Sequence, residues 1–323
     1  MREVSIVIPN YNGMEYMQTC LDSLVSQTYG RLPIIVVDNG STDGSLEFVR
    51  EAYPQVEVIA FPENTGFCYA VNTGIKATKT PYIILLNNDT EAAPDFVEKL
   101  LDGIKERKKA FSCAAKMIQF KNRSLLDDAG NFYNALGWAF ARGKGKDVSQ
   151  YDRAEKIFAA CAGAAIYRRE VLEQIGLFDE EHFAYLEDID IGYRARVQGY
   201  QNWYLPDAKV FHIGSGTSGS RYNLFKIRYS SRNNIYMIYK NMPIGQLIFN
   251  LPLLVLGFLI KIVFFATKGF GKEYVAGIKN GLVISMKGKR EGKKIRFQWR
   301  NLSNYLCIQW ELWFNIFRRF KER

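Results

Sequence analysis

The sequence predicts an α/β fold, a Rossmann-like, mostly parallel sheet flanked by helices, followed by a helical, membrane-associating extension. Three observations predict it. Short apolar runs alternate with segments of helical periodicity across the first 90 residues. Several of those runs stop at Asn, Asp or Gly, as strands do where their carboxyl ends open onto a ligand. Charge is split along the chain: residues 1–220 carry 23 Lys and Arg against 29 Asp and Glu, and residues 221–323 carry 20 against 4. The split divides the chain into a mildly acidic body, 1–220, and a basic, apolar region, 221–323.

The apolar run 4–8 is a strand closed by Pro9. Residues 11–28 follow as a helix, because Met14, Met17, Leu21, Leu24 and Val25 recur at helical spacing. A second strand, 34–37, stops at Asp38-Asn39-Gly40, and a second helix covers 45–53. A third strand (56–60), a third helix (67–77) and a fourth strand (82–86) repeat the pattern. A helix is predicted over 95–109, and 116–152 is polar, Gly-rich and without clear periodicity. A buried strand is predicted over 158–167, a helix over 187–198, and short strands over 203–205 and 209–211. The Gly/Ser stretch 212–220 reads as a flexible loop ending the first region.

Residues 244–266 are apolar except for Gln246, Asn250 and Lys261, and contain Pro252. The stretch is long enough to span a bilayer, but a central Lys costs roughly 3 kcal/mol on insertion. Near the end, Trp299, Leu302, Leu306, Trp310, Trp313, Phe317 and Phe320 form one helical stripe, with Arg318, Arg319, Lys321 and Arg323 at its close. That is the pattern of a helix lying on an anionic membrane surface. The plainer alternative is a bundle helix packed on the body. The five scattered cysteines lack metal or redox spacing and read as reduced, and Arg2-Glu3 leads straight into a strand with no signal peptide.

Chemistry-bearing residues gather at the predicted strand ends. Pro9, Asn10 and Tyr11 follow the first strand, and Asp38 ends the second, where a carboxylate can bond a nucleoside. Asn64 and Gly66 precede the third helix, Gly66 allowing close backbone approach. Each set alone is ordinary turn chemistry; together they outline one nucleotide pocket. Asn87, Asn88 and Asp89 end the fourth strand, and Asp89 is a hard oxygen donor for a divalent cation that would stabilise a departing diphosphate. His212, at a strand end before the Gly/Ser loop, is a further candidate ligand, and His182 reads as structural. Glu187-Asp188-Ile189-Asp190 open a helix, where acids are favoured anyway. At ~100° per residue Asp188 and Asp190 point about 200° apart, so one is a candidate base and the other structural.

These residues, in this order, resemble the inverting family 2 glycosyltransferases of GT-A fold, in particular their bacterial rhamnosyltransferase-like branch. The resemblance covers residues 3 to about 240. It rests on VSIVIPNYNG (4–13), VVDNGSTDGS (36–45), PENTGFCYAVNTGI (62–75), YIILLNNDT (82–90), GLFDEEHFAYLEDIDIGYRARVQGY (176–200), VFHIGSGTS (210–218) and YSSRNN (229–234). It implies that Pro9, Asn10, Tyr11, Asp38 and Asn64 hold the nucleotide. It makes Asp89 and His212 ligands of Mn2+ or Mg2+, and Asp188 the base that activates the acceptor hydroxyl for single-displacement inversion. Arg232 and Asn233 fall in a segment that closes on donor or acceptor. The pattern departs in one place: Asn87 stands where the first metal-motif Asp is usual, which leaves Asn87 to bond ribose or sugar.

The resemblance implies a nucleotide diphosphate sugar donor, dTDP-rhamnose first and UDP-sugars next. The acceptor is then a glycan or a polyprenyl-diphosphate-linked glycan, met at the cytoplasmic face of a bacterial membrane during cell-surface polysaccharide synthesis. A nucleotidyltransferase would carry a Gly-rich basic loop after its first strand, and PNYNGMEYM has no Lys or Arg. A nucleic-acid-binding module is disfavoured because the tail's basic residues interleave with long apolar runs, so no nucleic-acid partner is expected.

Overall fold

A computed structural model describes residues 2–214 and 223–322. The strands in chain order are β1 (Val4–Asn10), β2 (Ile34–Asn39), β3 (Glu57–Phe61), β4 (Tyr82–Leu86), β5 (Thr90–Ala92), β6 (Ala110–Gln119), β7 (Leu126–Asp128), β8 (Asn131–Tyr133), β9 (Ala139–Ala141), β10 (Glu155–Ile157), β11 (Ala164–Arg168) and β12 (Gln201–His212). The helices are α1 (Met14–Val25), α2 (Ser45–Ala52), α3 (Phe67–Ala77), α4 (Phe96–Glu106), α5 (Arg169–Ile175), α6 (Glu187–Val197), α7 (Leu224–Asn241), α8 (Ile244–Thr267), α9 (Gly271–Arg290) and α10 (Leu302–Lys321).

The main sheet runs β10-β12-β6-β11-β4-β1-β2-β3. Strands β3, β2, β1 and β4 are parallel, joined by α1, α2 and α3, as the alternating pattern requires. The other half is mixed: β11 runs antiparallel to both β4 and β6, while β6 and β12 are parallel. β11 enters from the far side because 158–163 is not strand. Phe158 and Ala159 both donate to the Asn131 carbonyl, at 3.0 and 3.1 Å, and a turn at Cys161 reverses the chain. The strand expected over 158–167 thus reduces to Ala164–Arg168. The two short strands expected over 203–211 are one strand, β12, with a register shift between Leu205 and Lys209 that accommodates Pro206. β6 gave no alternation to read because it is buried on both faces through nine of its ten residues.

α3 and α6 pack on one face of the sheet and α1 and α4 on the other. The α3–α6 side also receives Met237, Ile238 and Met242, with Leu254 of α8 and Tyr305, Ile308 and Leu312 of α10, in one continuous apolar cluster. The loop expected over 212–220 lies outside the described residues beyond Gly214.

α8 is 24 residues long, with a mean hydropathy of 2.4 over its most apolar 18 residues, long and apolar enough to cross a membrane. Its body-facing stripe is Gln246, Asn250, Leu254, Gly257, Lys261 and Phe265, at helical spacing, and it holds all three polar residues noted above. Asn250 exchanges hydrogen bonds with Gln309 at 2.8 Å and accepts one from Trp313 Nε1, while Gln246 accepts from Tyr193. The opposite face is bare: Ile244, Ile248, Val255, Leu259 and Val263 are exposed. α10 repeats the division. Tyr305, Ile308, Leu312 and Asn315 face the body, while Leu306, Trp310 (70%) and Phe317 (71%) face out with Trp299 (79%) just ahead of the helix. The inner face is that of a bundle helix packed on the body, and the outer face leaves its aromatic residues exposed.

Candidate active site

A cavity of about 1310 Å³ opens at the carboxyl ends of β1, β2 and β4, where the sheet changes direction. Pro9, Asn10, Tyr11, Asn64, Asn87, Asn88 and Asp89 line it. Asn10 is the knot of this end. Its Nδ2 donates to Asp38 Oδ1 (2.8 Å) and Ser45 Oγ (2.9 Å), and its Oδ1 accepts from Asn88 Nδ2 (2.7 Å).

Two of the residues expected in the nucleotide pocket stand behind it. Asp38 is buried and does not line the cavity; it holds Asn10 and, through Oδ2, the Ser41 N–H at 3.1 Å. Gly66 is also set back. Its φ of +90° and the 2.6 Å that would separate a Cβ from the Phe183 ring explain the glycine by packing instead of ligand approach. Asn39, which the sequence did not single out, does line the cavity. It donates to Asn64 Oδ1 (3.0 Å) and accepts from the Thr65 N–H (2.8 Å).

β12 pairs antiparallel with β5, placing His212 opposite Thr90. This brings His212 Nε2 to 3.2 Å from Asp89 Oδ1, and both line the cavity. His212 Nδ1 sits 2.7 Å from Asp127 Oδ2, and Asp127 also pairs with Lys144 at 2.6 Å. Burial opposes charge on His212, but the Asp127 and Asp89 carboxylates outweigh it and lift its pKa to about 9. Burial likewise opposes ionisation of Asp127, and the His212 and Lys144 contacts reverse that and hold it near 2. Asp89 and His212 are spaced as two ligands of one divalent cation, with Asp127 behind the imidazole. Two donors at ~2.1 Å and a right angle from one ion stand about 3 Å apart, and a ligating imidazole is commonly oriented by a carboxylate on its other nitrogen. Among the described residues no group of three or more His, Cys, Asp or Glu has metal-holding geometry, so a cation here would complete its shell from ligand or solvent.

Across the cavity lies the start of α6. Asp188 lines it, accepting from Asn131 Nδ2 at 2.5 Å and from the Ile189 N–H at 2.7 Å. Glu187 lines it too, with a buried Oε2 that has no hydrogen-bond partner. Burial raises both acids above the ordinary carboxylate range, and the neighbouring Asp188 charge raises Glu187 further. Asp190 is fully buried and turned away, bonded to Arg194 (3.0 Å), Lys240 (2.9 Å) and Asn241 (2.8 Å). Burial alone would raise its pKa; Lys240 and Arg194 reverse this and hold it far below the usual value.

The segment feeding α6 is strained. Phe183, Tyr185 and Leu186 have φ of 60°, 73° and 67°, a left-handed conformation that bulky residues rarely adopt. Asn233 Nδ2 clamps it through the carbonyls of His182, Ala184 and Tyr185, each at 2.8 Å. Arg232 donates to the carbonyls of Glu181 and His182 and lines a separate cleft, so the structure sets it outside the cavity that it was expected to close. His182 is buried beside Tyr236, as a structural residue would be. Asp127 and Asn131, which bond His212 and Asp188, went unnoticed in the polar stretch 116–152. Their signal was the compact DDAGN (127–131), whose turn needs Gly130 at φ +103°.

The sequence profile of the glycosyl transferase family 2 matches residues 5–176. An N-acetylglucosaminyl-diphospho-decaprenol L-rhamnosyltransferase of Mycobacterium tuberculosis is 26% identical over 237 residues, covering 66% of this chain and 77% of its own. Among solved structures, a mannosyltransferase of Pyrobaculum calidifontis in complex with GDP-Man and Mn2+ superimposes with a TM-score of 0.53 at 15% identity, covering 90% of this chain and 88% of that one. GalNAc-T7 with UDP, GalNAc and Mn2+ gives a TM-score of 0.59 at 17% identity, over 73% of this chain; the chain spans about half (47%) of that structure's length. At these identities the two structures establish the GT-A fold alone.

Proposed function

The chain belongs to glycosyl transferase family 2, and from that premise we propose an inverting transferase that moves a sugar, rhamnose in the first instance, from a nucleotide diphosphate onto a lipid-linked glycan. The observation that carries this reading is one cavity with Asp188 on one wall and the Asp89–His212 pair on the other. The relative in M. tuberculosis, named for a diphospho-decaprenol acceptor, supports the substrate class.

In this reading the asparagine-rich end, with Asn10, Asn39, Asn64, Asn87 and Asn88, accepts the nucleoside and ribose. Asp38 acts from behind by fixing Asn10. Asp89 and His212 would hold a divalent cation, with Asp127 orienting the imidazole, and the bound cation supplies charge neutralisation for the leaving diphosphate. Asp188 takes the proton of the acceptor hydroxyl as that oxygen attacks the anomeric carbon from the face opposite the nucleotide. Asn131 and the Ile189 N–H fix both carboxylate oxygens of Asp188, so the base is aimed before the acceptor arrives. Burial raises its basicity against the pull of the helix N-terminus. The bare faces of α8 and α10, with the basic residues of 221–323 around them, rest on an anionic membrane and bring the cavity to the lipid.

Asp188→Asn keeps the shape and removes the base. Transfer should fall at least ~100-fold, the low end of what a general base contributes. Nucleotide-sugar binding, read by thermal shift across dTDP-, UDP- and GDP-sugars with Mn2+, should stay within about twofold. Near-normal turnover in this variant rejects the assignment.

A further inference from the structure

The cavity does not stop at the proposed reaction centre. From Asp188 its wall continues along Asn131 to the β8–β9 hairpin, where Asn131 pairs with Ala141 and Phe132 with Phe140. Ala139, Phe140 and Ala141 line the cavity, as do Lys261 and Phe265 of α8 and Tyr274 of α9. The hairpin is locked to α8 at its tip. Trp138 Nε1 donates to the Gly257 carbonyl at 3.1 Å, and a Cβ on Gly257 would lie 2.0 Å from the Leu136 carbonyl oxygen. Lys261 is the next residue along that same face of α8, one turn on.

Lys261 is half-buried, the one charged residue in an otherwise apolar and polar-neutral helix, and among the described residues it makes no ion pair within 4.0 Å. A second cation approaches the same place: Arg319 of α10 sits 5.4 Å from the centre of the Phe140 ring and repels Lys261. A partly desolvated ammonium with no carboxylate within 4.0 Å is unfavourable unless an anion joins it. The exposed apolar face of α8 flanks Lys261 with Leu259, Ile260, Val263 and Phe264, so an anion here would lie within one helix width of the surface assigned to lipid.

We propose that Lys261 binds the phosphate joining the acceptor sugar to its lipid, which makes the α8–β9 end of the cavity the acceptor's head-group subsite. The inference rests on the lipid-linked acceptor reading above and adds the residue that selects it. The donor diphosphate belongs at Asp89 and His212. The acceptor phosphate then lies on the Asp188 side, so a sugar hanging from it reaches the base with its lipid chain running out over α8. Lys261 also resolves the oddity of a charge in a span-like helix, because it faces the cavity and not the bilayer.

The test uses the full chain in detergent micelles, with farnesyl diphosphate as probe, binding followed by tryptophan fluorescence. Lys261→Met should weaken farnesyl diphosphate at least tenfold, or about 1.4 kcal/mol. Lys261→Arg should restore affinity to within about threefold, and farnesol, which has no phosphate, should bind equally to all three proteins. Affinity for dTDP or UDP with Mn2+ should be unchanged throughout, and the Met variant should melt no lower than the parent. Unaltered farnesyl diphosphate affinity in Lys261→Met overturns the proposal. So does a parallel loss of nucleotide affinity, which would assign the lysine to the donor. A parent chain that binds nucleotide but no farnesyl diphosphate defeats the lipid-acceptor reading itself, a separate result.

Discussion

Asp188 and Asp190 are two residues apart on α6 and meet opposite electrostatic fates. Asp188 is raised by burial with neutral partners, whereas Asp190 is paired with two cations. The helical angle told the two apart in the sequence but could not say which faces the cavity; that depends on Lys240 and Asn241 of α7, fifty residues away. Two predictions belong at this scale. If Asp188 is the base, the acid limb of turnover against pH lies above the ~4 of an ordinary carboxylate, because the raised group protonates early. A limb at or below 4 rejects it. Asp190→Asn leaves Arg194 buried without a charge partner and Lys240 with Asp179 alone, and should cost roughly 3–5 kcal/mol in urea unfolding. The depressed pKa of Asp190 fixes the sign of its pH effect. Its contribution is present above the unfolded value near 4 and is lost as pH falls through the folded one, so the parent-minus-variant gap should narrow in acid.

At the scale of elements, the sequence was most readable where an element is a clean period or an unbroken apolar run with turn residues at its ends. α3 was legible from its helical period and β4 as five apolar residues between Pro81 and Asn87. β6, sealed on both faces, and β11, reversed by hydrogen bonds to Asn131, carry no period that distinguishes them. The same limit hid Asp127 and Asn131. Their roles come from the β7–β8 turn meeting β12 and α6, partners 85 and 57 residues away in sequence. Glycines mark where elements close on one another. Gly257→Ala should lower the melting temperature through overpacking of ~1–3 kcal/mol against Leu136. Gly245→Ala in the same helix, where a Cβ meets nothing within 4 Å, should match or exceed the parent. Equal melting of the two variants would show that the hairpin is not seated on α8.

On the scale of the molecule, the polar inner stripe of α8 decides how it can meet a bilayer. Gln246 and Asn250 are bonded to α6 and α10, so the helix cannot leave the body to be surrounded by lipid without stranding them. If the proposed membrane contact holds, the two faces of the helix call for an in-plane seat. Flotation with vesicles containing about one-third phosphatidylserine should carry the chain at low salt. Trp310→Ser with Phe317→Ser should reduce the floated fraction several-fold, because two exposed aromatic anchors are lost. Flotation that neither salt nor this double change reduces would point to a spanning helix.

The apolar cluster running unbroken from the sheet into α8 and α10 has a practical consequence for whoever expresses this protein. Cutting the chain before Ile244 would not free a soluble catalytic half. It would uncover Met237, Ile238 and Met242, until then shielded by Leu254, Ile308 and Leu312, and the shortened protein should precipitate. Solubility will come sooner from repainting the outward faces than from trimming the tail.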